Sequence, residues 1–154
     1  KAGVKIELIV RGICCLIPQL DGVSENITVR SIVGTFLEHS RIFYFENGGN
    51  PEIYMASADW MSRNLDRRVE IMFPVEDARL KKEVKHILDV QLADNVKAQL
   101  MQPDGSYRKI KNAPDMPQVE AQQIFCEEAQ EKAKAVTEGA DVHSSRVFTP
   151  MKHE

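Results

Sequence analysis

The chain has 154 residues, 43% of them apolar and 28% charged, a balance found in globular domains and unlike that of disordered, collagen-like or membrane-spanning chains. Its length fits one compact domain, or a domain with an extension. With 20 basic residues against 23 acidic ones the net charge is −3, which excludes a protein whose whole surface is built to attract nucleic acid.

The first residues, "KAGVKIELIV", start with Lys1 rather than Met and read as a piece of a longer protein. Within them "VKIELIV" (4–10) is short, apolar and rich in β-branched residues, which predicts a buried strand ended by Gly12. Cys14 and Cys15 come next in "RGICCLIP". With Cys126 they show neither C-x-x-C spacing nor the paired clusters of a zinc site, so all three are expected to be reduced, the neighbouring pair serving as small buried hydrophobes. "PQLDGVSEN" (18–26) is loop by its Pro, Gly, Ser and Asn content, and Ser24 or Asn26 is placed to cap the next element. Val29, Ile32, Val33, Phe36 and Leu37 recur at helical spacing and predict a helix over 28–38, with His39 just past its end.

"RIFYFEN" (41–47) and "EIYMASA" (52–58) are strand-like and separated by "GGNP", which predicts a hairpin. "RRVEIMF" (67–73) is a further expected strand. Asp77 is placed to cap a helix over 78–93 whose Leu80, Val84, Ile87 and Leu88 face the core, while Lys81, Lys82, Lys85 and Asp89 face water. "VKAQLMQ" (96–102) alternates like an exposed strand. "KNAPDMPQ" reads as a linker, and a polar helix is expected after it over 118–137, with Val119, Cys126, Ala129, Ala133 and Val136 as a thin docking seam. His143 and His153 are tail histidines without a site. Strands mixed with helices, and at least one hairpin, predict an α/β fold with a mixed β-sheet flanked by helices. No stretch approaches the roughly 20 apolar residues that span a bilayer, and no charged-then-apolar pattern opens the chain, so the expected setting is the cytoplasm, extending to the inner face of the membrane.

Alternate side chains of a strand share a face, so His39 and Arg41 are expected to project together from a sheet edge into a common cleft. The competing reading makes His39 a cap on helix carbonyls and Arg41 ordinary surface. In "SRNLDRRVE", Arg63, Arg67 and Arg68 form a local basic cluster, or else a solvated strand start. Asp59 is placed either to orient His39 or a metal-bound water, or to cap a turn in "SADW". Trp60 and Tyr44 are expected in the core, because aromatic residues in strand contexts usually pack.

The spacing His39-x-Arg41-x-x-x-x-Glu46, with "ASADWMSRNLDRRVE" after it, resembles the H-x-K-x4-D and G-S-x-N signatures of the phospholipase D superfamily, with Ser57, Asp59, Arg63, Leu65 and Glu70 at matching positions of the second motif. Arg41 stands where that superfamily has lysine, Glu46 for aspartate, Ala56 for glycine and Asp59 for asparagine, which counts against lipase or diesterase activity. "LIVRGICCLIP", "SENITVRSIV", "FLEHSRIFYFENGG" and "ADWMSRNLDRRVEI" resemble, in order and spacing, blocks of the last domain of polyphosphate kinase. The resemblance covers 1–110 and implies a phospholipase D-like half-domain there, with a linker and a C-terminal helical extension over 111–154.

The resemblance further implies reversible transfer of the terminal phosphoryl group of ATP to inorganic polyphosphate, with Mg2+, through a phosphohistidine on the preceding domain. By the same resemblance Arg11 matches the arginine on the ATP phosphates and His39 the second active-site histidine. The chemistry suits those types: a planar guanidinium fork fits phosphate oxygens, and a histidine side chain ordinarily titrates near neutrality and can donate to a leaving oxygen. Arg41, Arg63 and Arg67 are weaker candidates to line the polyphosphate path, and the metal ligands are not identified. The implied partners are ATP or ADP, polyphosphate, the remaining domains of the parent and a second copy of that parent, with no nucleic acid. Two other readings stand beside this one: a phospholipase D-like nuclease or phosphodiesterase completed by a homodimer, and a non-enzymatic module that holds polyanions through its arginines.

Overall fold

In the computed structural model, which describes residues 2–113 and 115–138, the first apolar run forms β1 (Ile6–Ile9). It pairs in parallel with β2 (Ile27–Ile32), Ile6 opposite Ile27 and Ile9 opposite Arg30. The remaining elements are β3 (Ile42–Phe45), β4 (Glu52–Ala56), α1 (Ser62–Arg67), β5 (Met72–Pro74), α2 (Ala78–Ala93), β6 (Ala98–Met101), β7 (Tyr107–Lys109) and α3 (Ala121–Thr137). The strands make a four-stranded mixed sheet in the order β1-β2-β6-β7 and a three-stranded antiparallel sheet in the order β3-β4-β5. This is the mixed sheet and helix architecture that the sequence predicts. The chain divides into two units, Lys1–Gln122 and Gln123–Glu154, and the tail positions His143 and His153 lie outside the described residues.

The helix expected over 28–38 is a strand and then an irregular segment. β2 is flanked by β1 on one side and β6 on the other, so its backbone groups are satisfied laterally. Its run of Ile, Thr, Val and Ile is stiff at Cβ and favours extended backbone. Val29 and Ile32 are buried, but Val33, Phe36 and Leu37, which complete the helical stripe, are exposed. A strand flanked on both sides buries residues without strict alternation, which is why its apolar spacing passes for helical. Ser24 caps no helix: its Oγ donates to the Ile17 carbonyl at 2.6 Å and accepts from Leu20 N at 3.1 Å, folding the preceding loop on itself.

The hairpin forms as expected, Ile42 opposite Met55 and Phe45 opposite Glu52. Its turn uses positive φ at Asn47, Gly48 and Gly49, a conformation that costs glycine nothing and asparagine little. The strand expected over 67–73 shrinks to β5; Arg67 ends the short helix α1, and 68–71 is irregular. The Asp77 carboxylate accepts from Arg79 N at 2.8 Å and Leu80 N at 3.3 Å, capping α2. α2 packs on β3 and β4, although its first apolar residue, Leu80, is exposed. β6 is not an exposed strand: it lies between β2 and β7, with Ala98 and Met101 buried. Trp60 is 78% exposed, stacked on Phe43 at 5.6 Å rather than placed in the core, and Cys15 is exposed rather than buried. In the second unit α3 carries the one-turn bonds Gln123 to Glu127 (2.6 Å) and Thr137 to the Ala133 carbonyl (2.9 Å). Among the described residues no helix is long and apolar enough to cross a membrane.

One buried carboxylate joins the middle of the first unit to its end. Asp94, 1% exposed, accepts through Oδ1 from the amides of Val96, Lys97 and Ala98 at 2.8–3.1 Å and through Oδ2 from Ala121 N at 2.8 Å. Next to it Asn95 bonds both Val119 N and the Pro117 carbonyl, which carries the chain into α3. Asp94→Ala leaves these four amides without their acceptor and is expected to cost at least about 3 kcal/mol of local stability. Hydrogen exchange should show faster exchange in 96–98 and 119–122 together. Unchanged protection in either segment would mean that the carboxylate does not couple them.

Candidate functional site

Because β1 and β2 are parallel neighbours, their C-terminal ends leave the sheet at the same edge. Val10 N extends the pairing by donating to the Arg30 carbonyl at 2.8 Å, and Arg11 is the next residue. From the end of β2 the irregular segment 33–41 returns past that edge, and the Arg11 guanidinium donates to the carbonyl of Glu38, directly before His39. Ligand sites of open α/β sheets form where strands end in this way. One hydrogen bond thus ties the cation just past β1 to the backbone directly before His39.

The second sheet brings the other half. Arg41 precedes β3, and its carbonyl accepts from Ala56 N at 3.0 Å at the end of β4. The turn after β4 therefore passes beside Arg41, and Asp59 in that turn takes a hydrogen bond from Arg41 Nε at 2.9 Å. Farther along, Ser57 N donates to the Ile71 carbonyl at 3.0 Å while Ser57 Oγ donates to the Glu70 carboxylate and accepts from Ile71 N at 3.0 Å. Asp59 caps no helix with its side chain; α1 begins after Met61 without a side-chain cap.

Electrostatics ties these groups together. The hydrogen bond from Arg41 holds the Asp59 carboxyl below the usual carboxylate range against an opposing push from burial, and the positive charges of Arg41, His39 and Arg11 add to it. Arg41 is in turn raised, first by its bond to Asp59 and also by the charges of Asp59 and Glu70. The charges of Arg11 and of the expected His39–Arg41 pair all act on one carboxylate. Arg63 and Arg67 lie exposed on α1 and are not among the cations that act on Asp59.

Sequence reasoning missed the polar supports of this segment. The Glu38 carboxylate accepts from Gln91 Nε2 at 2.6 Å and Gln122 Nε2 at 2.7 Å. Gln122 also bonds the backbone of Phe36 twice. One signal was available, since Gln91 falls at helical spacing on the stripe of Val84, Ile87 and Leu88, a polar residue where an apolar one is expected. For Gln122 nothing local marks it.

The residues do not fit a protein-held metal. Among the described residues no three carboxylate, imidazole or thiolate groups converge, and the carboxylates nearest the cluster are engaged, Asp59 by Arg41 and Glu70 by Ser57.

A depressed carboxyl contributes stability above its unfolded value, near 4, and loses it as the pH falls through its lower folded value. Asp59→Asn is therefore expected to lower the thermal midpoint at pH 7, with the gap to wild type narrowing as the pH falls below the ordinary carboxylate range, and narrowing in high salt. The measurement is a pair of melts across that range. A gap that does not narrow as the pH falls would assign it to packing instead.

Comparison with known proteins identifies the family of the chain. The family described as polyphosphate kinase C-terminal domain 2 matches residues 1–122. Polyphosphate kinase 1 of Chlorobaculum tepidum is 53% identical over 134 residues, covering 87% of this chain and 19% of that protein. The polyphosphate kinase of Pseudomonas putida is 60% identical over 107 residues, covering 70% of this chain and 15% of that one. The crystal structure of polyphosphate kinase from Porphyromonas gingivalis matches with a TM-score of 0.79 at 44% identity, over 86% of this chain and 20% of that chain. The chain spans about a fifth of the length of the relatives it matches. The family match over most of the chain, the identities to these relatives and the shared fold together carry one identity: the chain belongs to the polyphosphate kinase C-terminal domain family.

Proposed function

We propose that this chain supplies one half of the transfer site of a polyphosphate kinase. The parent moves the terminal phosphoryl group of ATP reversibly onto inorganic polyphosphate through a phosphohistidine carried outside this chain. The observation that carries the reading is the bond from Arg11, just past β1, to the Glu38 carbonyl directly before His39, with Arg41, two residues after His39, paired to Asp59. Phosphoryl transfer asks little covalent chemistry of the protein and much fixed positive charge around the equatorial oxygens.

Arg11 spends one donor on the Glu38 carbonyl and presents its remaining N–H groups, in a planar fork, to the ATP phosphates. His39 is exposed beside it and donates to the oxygen that leaves or enters with the phosphoryl group. Arg41, oriented by Asp59, lines the polyphosphate path, with Arg63 and Arg67 farther along it. Mg2+ enters with ATP, held by the nucleotide phosphates, which suits an ion that keeps several waters and needs few protein ligands. Apolar residues of the segment around α1, among them Trp60, Leu65, Val69 and Phe73, are exposed, which supports cover by the parent's remaining domains or by its second copy. The reading places the reaction in the cytoplasm, where ATP is at hand, including the inner face of the membrane.

In the parent enzyme Arg11→Lys loses the fork and is expected to raise the KM for ATP and slow transfer roughly tenfold, with folding intact. Unchanged kinetics would remove Arg11 from the site. His39→Ala is expected to lower kcat by about 10²–10⁴-fold and to depress phosphoenzyme formation, while acid-labile label from ATP maps outside this chain. Finding the phosphate on His39 would overturn the division of roles. The isolated chain is expected to show no ATP-dependent polymer formation and no reverse reaction with ADP, since groups that act as a unit lose most of the rate when separated. Turnover in either direction would sink the half-site reading, and diester hydrolysis by a dimer would favour the nuclease-like one.

A further inference from the structure

The segment 33–41 that delivers His39 has no helix or strand of its own, yet its position decides where the imidazole sits. Two carboxamides hold it. Gln122 behaves as a strand neighbour would: its Oε1 accepts from Phe36 N at 2.9 Å and its Nε2 donates to the Phe36 carbonyl at 2.8 Å. The second hydrogen on that nitrogen goes to Glu38 Oε1 at 2.7 Å, and the other carboxylate oxygen takes Gln91 Nε2 at 2.6 Å. Both donors of Gln122 are used, and turning its amide over would set an NH2 group against the Phe36 N–H, so its orientation is determined by its partners. Gln91 and Gln122 are 7% and 8% exposed, so water does not readily replace these bonds. Gly34 completes the fit: a Cβ built there would lie 2.6 Å from Gln122 Cδ, so the amide occupies space that any other residue would claim.

We infer that Gln91 and Gln122 are positioning residues of the transfer site, clamping the Glu38 side chain and the Phe36 backbone so that His39, the residue after Glu38, is held toward the reacting phosphoryl group. The clamp draws its parts from the last turns of α2 and the first residues of α3, so the start of the C-terminal helix serves the site. Arg11 keeps its own bond to the Glu38 carbonyl and its own strand, so loss of the clamp displaces the histidine more than the arginine. A misplacement of about 1 Å costs a reaction of this kind on the order of 10²-fold.

The inference rests on the reading of His39 as a transfer-site residue, and the test separates the two. In the full-length parent enzyme, Gln122→Ala and Gln91→Leu are expected to lower kcat for polymer synthesis by about 10 to 100-fold, with the KM for ATP changed by less than about threefold. Gly34→Ala, which leaves every side chain of the clamp in place but pushes the Gln122 amide aside, is expected to give the same split between kcat and KM. The double variant Gly34→Ala/Gln122→Ala should be no slower than Gln122→Ala alone, because the added methyl then enters vacated space. If a glutamine variant does not fold, as judged by its melt, Gly34→Ala still reports on the clamp. Wild-type kcat in a folded Gln122→Ala or Gly34→Ala enzyme, a loss seated mainly in KM, or multiplicative losses in the double variant would overturn the inference. Wild-type activity of His39→Ala, measured alongside, would instead overturn the reading of the site beneath it.

Discussion

The parallel pairing of β1 with β2 is the constraint on which the site depends. An antiparallel arrangement would send the two C-terminal ends to opposite edges of the sheet, and Arg11 and His39 would face different sides of the molecule. With the strands parallel, Arg11 and the segment bearing His39 leave from one edge, and a single donation from Arg11 to the Glu38 carbonyl joins them. Parallel neighbours need a connection that carries the chain back to the starting edge, and residues 10–26 provide it, stabilised by the Ser24 hydroxyl and by the Ile6 N to Asn26 carbonyl bond at 3.0 Å.

The second constraint is hairpin register. Ile42 opposite Met55 sets Arg41 beside Ala56, so the turn after β4 meets Arg41 through Asp59. Asp59 is aligned by the strands rather than by its neighbours in sequence. An arginine bound in this way loses less side-chain freedom when a phosphate arrives than one free in solvent, because its guanidinium is already oriented. The carboxylate also offsets part of the positive charge that Arg11 and Arg41 bring to this edge.

Polar side chains hold the irregular parts of the first unit. Asp94 gathers amides from the start of β6 and from Ala121, and the Asn95 side chain holds Pro117 and Val119. Gln122, the residue after Ala121, then reaches the segment before His39. A chain of hydrogen bonds thus runs from the end of α2 to the site, in a fold whose fully buried apolar residues are few and mostly small. Directional bonds suit this role because they specify the path of a segment that has no periodic backbone of its own.

Much of this was legible in the residues alone. The hairpin was marked by its "GGNP" turn and β-rich flanks, and α2 by Asp77 and the stripe after it, because turn and cap chemistry act over a few residues. Long blocks of family-like sequence pointed to polyphosphate kinase before any geometry did, and the match over residues 1–122 agrees with them. Spacing without context misled: Val29, Ile32, Val33, Phe36 and Leu37 fit a helix until two flanking strands claim Ile27–Ile32. Trp60 looked like core because aromatic residues usually pack, yet it lies exposed on Phe43. The sequence by itself determined the hairpin and the capped helix α2, and it marked Arg11, His39 and Arg41 as candidates for the site. Only the tertiary structure decided that Arg11 bonds the backbone before His39, that Arg41 pairs with Asp59, and that Gln91 and Gln122 hold the segment before His39, since those contacts join residues 18 to 86 positions apart and depend on strand direction and register, which no local spacing encodes.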